Sequence, residues 1–215
     1  MTTCRGLIFD FNGTLSHDEP ILCAIYESLF AEHGRPLSPA EYYGQLAGLS
    51  EEAIISTWLG VGGAELEELI AERIRRYVAA AADGSTVEPP VREAVRYAAE
   101  RVPVAICSGA FRAEIAPVLD GAGIASLFTA VVTADDVAHG KPHPEGYLRA
   151  LALLGDRLEA GQVVTFEDTE AGVASAKGAG LRCLAVRGTM PDERLARADE
   201  LVDAIDLGLV RRLVG

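Results

Sequence analysis

The stretch Arg5-Gly6-Leu7-Ile8-Phe9-Asp10-Phe11-Asn12-Gly13-Thr14-Leu15 decides how the rest of the chain is read. A short apolar run ends in a carboxylate, and Gly13 breaks it at once. A strand buried on both faces of a parallel sheet has this pattern. A carboxylate at its C-terminal end points into the crevice where open α/β sheets bind ligands. Taken alone, the stretch suits a turn or a helix cap at Asp10 better; three later stretches reverse that reading.

Outward from the first strand, residues 17–83 carry only helical patterning. Ile21, Leu22, Ile25, Leu29 and Phe30 recur at helical spacing after Pro20, and Gly34 closes that helix. Ser38-Pro39-Ala40-Glu41 has the form of a capping box. Further helices are predicted from Ser50 to Leu59 and from Ala64 to Ala82. Beyond Pro89-Pro90 the rhythm changes to alternating helices and strands. Helices are predicted at 89–101, opened by Pro89-Pro90, and at 112–122, 143–154 and 169–179. Strands are predicted at 102–108, 128–133, 163–166 and 182–186. Alternation of this kind means right-handed crossovers and a parallel sheet. Residues 201–205 read as a last edge strand and 207–214 as a closing helix. The expected fold is α/β: a Rossmann-like three-layer core of residues 1–16 and 84–215, with a small all-α cap, residues 17–83, inserted after strand one. Hinges are expected near Leu15–Asp18 and Asp83–Glu88.

With 215 residues and 49% apolar content, the chain can bury a substantial core. Its net charge of −13 excludes general affinity for nucleic acid or an anionic membrane. An anionic substrate would need a local reversal of sign, which a metal ion supplies. Cys4, Cys23, Cys107 and Cys183 are too dispersed for a metal or redox motif and read as buried thiols. The N-terminal residues lead directly into the first strand, and no stretch is long enough to span a membrane, so a cytoplasmic location is expected.

Polar residues collect where the predicted strands end: Asp10 and Asn12, Ser108 and Gly109, Lys141 in a loop, Glu167 and Asp168. Carboxylates without histidine or thiol partners suit a hard cation such as Mg²⁺. A hydroxyl, a lysine and free backbone N–H groups suit a phosphate. A remaining carboxylate can attack phosphorus.

Four stretches, in order, resemble the motifs of the haloacid dehalogenase superfamily, and especially its helical-cap phosphatases and β-phosphoglucomutases. They are Asp10-Phe11-Asn12-Gly13-Thr14-Leu15, Cys107-Ser108-Gly109, Gly140-Lys141-Pro142-His143-Pro144-Glu145-Gly146-Tyr147, and Phe166-Glu167-Asp168-Thr169-Glu170-Ala171-Gly172. The resemblance implies a hydrolase acting on a small phosphorylated metabolite. Asp10 would be the nucleophile, forming an aspartyl-phosphate. Asp10, the Asn12 carbonyl, Asp168 and Glu167 would hold Mg²⁺. Ser108, Gly109 and Lys141 would bind the phosphoryl group. The residues do not set an oligomeric state.

Two departures from the family pattern stand out. Asn12 replaces the aspartate that serves family phosphatases as general acid and base, a role typically worth ~10²–10⁴ in rate. His17 and Asp18 are the local substitutes, although His17 reads as a solvated hinge residue and Asp18 as a cap for the Pro20 helix. The inserted helices also contain no lysine, since Lys141 and Lys177 are the chain's only two. A mutase would need cations near Ala47 and Glu51, and a phosphonoacetaldehyde hydrolase a Schiff-base lysine. The reading is therefore a phosphatase, with a weakly catalytic phospho-ligand binding protein and a phosphosugar mutase as alternatives. Arg73, Arg75 and Arg76 are expected on a solvated helix face, Trp58 in the insert's core, and Arg112 on a phosphate, on Glu114 or in solvent. His33, His139 and His143 fall near helix ends or in loops, with no pairing that suggests a zinc site.

Overall fold

The structure, a computed structural model, describes residues 4–215. Strand β1 (Gly6–Phe9) is buried along its whole length. It lies at the middle of a six-stranded, wholly parallel sheet with β2 (Val104–Cys107), β3 (Ala130–Val132), β4 (Val163–Glu167), β5 (Arg182–Val186) and β6 (Glu200–Val202). The order is β3-β2-β1-β4-β5-β6. The chain thus winds outward one way from β1, then returns to its other side. That reversal opens a crevice at the C-terminal ends of β1, β2 and β4.

Strand alternation divides the core in two. Leu7, Phe9, Val104, Ile106, Val164 and Phe166 face one layer, and Phe9 stacks on Phe166 with ring centroids 5.0 Å apart. Ile8, Ala105, Cys107, Cys183 and Ala185 face the other. Helices α5 (Pro89–Ala99), α6 (Arg112–Gly121) and α9 (Leu207–Val214) cover the first face; α7 (Glu145–Leu154) and α8 (Glu170–Gly178) cover the second. Helix α5 starts as expected at Pro89, with Pro89 and Pro90 in its first turn, where a missing N–H costs nothing. All four cysteines are free and buried. No helix among the described residues is long and apolar enough to cross a membrane.

Between β1 and α5 the chain is helical. It forms α1 (Glu19–Glu32), α2 (Pro39–Glu41) running into a π-helical turn at Tyr42–Leu46, α3 (Glu51–Leu59) and α4 (Gly63–Ala81). The capping box at Ser38 forms, and Ser50 caps α3. Trp58 stacks on Phe30 and donates to the Arg35 carbonyl, a packed position at the edge of these helices. Their apolar faces join the same cluster as the first face of the sheet. The two connections lie side by side: His17 N–H donates to the Thr86 carbonyl at 2.8 Å and the Ser16 hydroxyl to Thr86 Oγ1 at 2.8 Å. Gly84, at φ +74°, presses on the end of α6 so closely that a Cβ would lie 2.1 Å from Ala122 N.

Candidate active site

Asp10 follows β1 and is 6% exposed. Its Oδ1 accepts from the Lys141 ammonium at 2.5 Å, and Lys141 also donates to Glu167. Burial raises the Asp10 carboxyl to about 7, with Lys141 opposing the shift and Glu167 adding to it. Burial alone would lower the Lys141 ammonium, but Asp10 and Glu167 override it and hold it well above its ordinary value. Asp168, 1% exposed, is raised by burial and then by Asp10 and Glu167. Asp10 and Asp168, two buried carboxylates that resist ionisation together beside Glu167, mark a place built for added positive charge.

The donor set fits a hard divalent cation. Oxygens of Asp10, Glu167 and Asp168 lie within 4.8 Å of one another. Asp168 Oδ1 accepts from the Thr14 hydroxyl at 3.3 Å, whereas Oδ2 is buried without a partner. Glu167 is engaged already: Oε1 accepts from Lys141 and, at 2.6 Å, from the Tyr147 hydroxyl, and Oε2 from Asp168 N–H at 3.2 Å. Gly13, at φ +71°, leaves room for this centre, since a Cβ there would lie 2.0 Å from Asp168 Oδ2.

Asp10, Asn12, Ser108, Gly109, Lys141 and Asp168 line one pocket of about 300 Å³; Glu167 lies behind it, fully buried. Ser108 is tied to β3 through its N–H and accepts from Ala110 N–H at 3.1 Å, leaving its hydroxyl hydrogen to donate. Asn12 sits at the pocket floor and donates from Nδ2 to Asp18 Oδ2 at 2.9 Å.

Four expectations need correction. Asp18 does not cap α1 with its side chain. It is fully buried and accepts from Asn12, Gly13 N–H and the Tyr77 hydroxyl, because a buried carboxylate needs more donors than a helix end offers. Arg73 is not solvated. It is 1% exposed and pairs with Glu51 of α3 and Glu114 of α6, while Arg75 and Arg76 do lie outward on Glu72. The insert therefore does present a cation to the pocket, already held by two carboxylates. Arg112 pairs with Asp136, not Glu114, which is taken by Arg73. His139 and His143 are brought together, with ring centroids 4.8 Å apart at Glu145, because that carboxylate accepts from the Ala138 and His139 N–H groups and folds the loop onto α7. His17 stands as expected, a half-exposed hinge residue outside the pocket lining and 3.9 Å from Glu88.

The pocket's outer wall escaped the sequence reading. Glu19, Tyr26, Tyr42, Glu51 and Arg73 all line it. For Arg73 a signal existed. The buried residues of α4 are Leu69, Arg73, Tyr77 and Ala81, so this arginine stands at four-residue spacing within an apolar stripe.

A carboxylate, a lysine and a serine thus meet at a parallel sheet's switch point, where open α/β sheets bind their ligands. The chain belongs to the haloacid dehalogenase-like hydrolases, whose profile matches residues 4–180. It is 32% identical over 203 residues, 91% of each chain, to a validoxylamine A 7'-phosphate phosphatase of Streptomyces hygroscopicus subsp. limoneus. It is 31% identical over 189 residues, 85% of this chain and 80% of the relative, to a phosphoglycolate phosphatase of Pectobacterium atrosepticum. A crystal structure of a CbbY variant from Rhodobacter sphaeroides, in complex with xylulose-(1,5)bisphosphate, superposes with a TM-score of 0.83 at 25% identity, covering 94% of this chain and 95% of that one. With phosphatases among its relatives, the chain is a phosphoric monoester hydrolase of this family.

Proposed function

We propose that the chain is a Mg²⁺-dependent phosphatase that transfers the phosphoryl group of a small metabolite to Asp10 and then to water. The observation that carries this reading is the Asp10–Lys141 contact at 2.5 Å, buried beside Asp168 and opening on the pocket. Asp10 attacks phosphorus in line with the leaving oxygen. Lys141, the Ser108 hydroxyl and the Gly109 N–H hold the phosphoryl oxygens, stabilising charge as it redistributes in transfer. Asp10, the Asn12 carbonyl and the unpartnered oxygen of Asp168 would hold Mg²⁺, with Glu167 keeping Lys141 in place. Bound there, the ion supplies neutralisation of the phosphoryl charge. Helices α1–α4 form a cap over the crevice that keeps bulk water from the acyl-phosphate. The phosphatases among the relatives support a substrate of this size.

Asn12 favours a second reading, a slow enzyme or a phospho-ligand binder, because an amide cannot give the leaving alkoxide a proton. Rapid mixing with an aryl phosphate and Mg²⁺ separates the two. The phosphatase reading expects a burst of phenol release and a phosphate adduct mapping to Asp10, both absent in Asp10→Asn. If no adduct forms and no phenol is released, the binder reading takes its place.

A further inference from the structure

Transfer to Asp10 leaves a proton unassigned, because Asn12 has none to give the leaving oxygen. The titratable side chains around the pocket divide by what already holds them. Asp18 is fully buried, does not line the pocket, and is enclosed by Asn12, Gly13 and Tyr77. Glu51 accepts from Tyr26 on one oxygen and from Arg73 on the other. Burial pushes the Cys107 thiol up to about 12. His139 and His143 each contact Glu145, past the loop that carries Lys141. Glu19 differs. It stands in the first turn of α1 and lines the pocket together with Asp10 and Asn12. Its Oε2 accepts from the Tyr42 hydroxyl at 3.1 Å, while Oε1 makes no hydrogen bond among the described residues. A carboxyl held in this way keeps its carbonyl oxygen on Tyr42 and carries its O–H on the oxygen left free. Burial, then Asp18, raises this carboxyl to about 7, with Asp10 adding to the shift and the Tyr42 hydroxyl and Arg73 opposing it. The Cys23 thiol and Tyr43 phenol, which also feel Glu19, are raised by burial first and stay neutral. After burial, Asp10 and Glu167, Glu19 is a further charge raising Asp168. It therefore lies within electrostatic reach of the nucleophile and of the metal candidate.

Resting on the phosphatase reading above, we infer that Glu19 is a catalytic residue of this site, supplying from the helical side of the pocket the proton that Asn12 cannot. As an Asp10 oxygen bonds to phosphorus, the bond from phosphorus to the leaving oxygen breaks. That oxygen takes the proton of Glu19, which releases a neutral alcohol and leaves a Glu19 carboxylate. In the second step a water oxygen attacks the phosphorus of the Asp10 adduct and the water gives a proton to Glu19. The bond between Asp10 and phosphorus breaks, freeing phosphate and restoring the Asp10 carboxylate and the protonated Glu19. Because Glu19 belongs to α1 and not to the turn after β1, it serves less well than an aspartate at position 12 would. Its proton is therefore worth about tenfold, below the ~10²–10⁴ of a carrier fixed beside the nucleophile.

The test measures kcat/KM with Mg²⁺ for nitrobenzyl phosphate and nitrophenyl phosphate, esters of similar size whose leaving groups differ in their need for a proton. This constant reports transfer to Asp10 and not the later attack by water. In Glu19→Gln the ratio of nitrobenzyl to nitrophenyl phosphate should fall by about tenfold. A ratio cancels any loss common to both esters, so partial misfolding cannot imitate the fall. In the parent chain the ratio should decline as rising pH removes the Glu19 proton, and in Glu19→Gln it should stay flat with pH. In an Asn12→Asp background, where position 12 supplies the proton, Glu19→Gln should lower the ratio much less than it does in the parent. Equal falls in the two backgrounds would make Glu19 a structural residue and overturn the inference. So would a ratio and pH dependence left as in the parent, or a parent chain that hydrolyses nitrophenyl but not nitrobenzyl phosphate; in each case the phosphatase reading stands. If Asp10 of the parent chain takes up no phosphate from nitrophenyl phosphate, the phosphatase reading fails and the role of Glu19 falls with it.

Discussion

Asn12 and Asp18 behave as one unit. The amide donates to a carboxylate that has no exposure to solvent, and Tyr77 and Gly13 complete its shell. Asn12→Asp would set two carboxylates against each other, so one must keep a proton. That proton lies at the pocket floor, where a leaving alkoxide needs it. The substitution should speed hydrolysis of alkyl phosphates by ~10²–10⁴ while leaving aryl phosphates, whose leaving groups need no proton, much less changed. Steady-state rates on a matched alkyl and aryl pair check this; equal gains on both would remove Asn12 as the missing proton carrier. Glu19 offers a second measurable effect. Burial raises its carboxyl from 4.5 to about 7, with Asp18 adding to the shift and the Tyr42 hydroxyl opposing it. The folded chain therefore holds this proton more tightly than the unfolded one. The associated stability is fully present below pH 4.5 and is lost as pH rises through about 7. Glu19→Gln lacks that loss. Its melting temperature minus the parent's should grow from about pH 5 to about pH 8 and then level off. A difference that stays flat would place Glu19 in an ordinary solvated state.

At the scale of elements, α4 links the inserted helices to the sheet layer. Arg73 on α4 pairs with Glu51 on α3 and with Glu114 on α6, at one N-terminal turn of a helix that starts just after β2. Removing one partner of a buried ion pair leaves the others charged and unpaired. Arg73→Met should therefore cost about 3–5 kcal/mol in urea denaturation. Adding Glu51→Gln and Glu114→Gln to it should recover most of that, since amides carry no buried charge. A single-variant loss below about 1 kcal/mol would mean the pair is hydrated like a surface one. Gly84, just past α4, presses on the other end of α6, so the two helices are tied by charge at one end and by touching backbone at the other.

Across the whole molecule, the excess of negative charge converges on the metal candidate. Three buried carboxylates face a single lysine, and one Asp168 oxygen has no partner. A cation that binds only the folded state stabilises it by linkage. Mg²⁺ at about a hundred times its Kd should add about 2.7 kcal/mol, or roughly 5–10 °C in melting temperature for a chain of this size. Asp168→Ala should abolish that shift, read by calorimetry with and without the ion. A variant that retains it would move the cation away from this centre.

The sheet, its order of helices and strands, and the residues at the strand ends were legible in the chain. Each depends on local patterning: an apolar run makes a buried strand, a glycine or proline ends it, and the loops of a parallel sheet open on one edge. For that reason Asp10, Ser108, Lys141 and Asp168 could be expected at one place before any coordinates, and the pocket brings them there. The roles of Asp18, Arg73 and the His139–His143 pair were decided only by the tertiary structure. A buried charge is compensated by whatever donors or acceptors the fold carries to it, and these lie far off in sequence: Tyr77 for Asp18, Glu114 for Arg73. Helical periodicity shows that Arg73 shares a face with Leu69 and Tyr77; it says nothing about which helices will pack against that face. The Asp10–Lys141 end of the site was therefore readable from motifs, while the wall facing it, where Glu19, Glu51 and Arg73 meet from three helices, came into being only with the packing of those helices.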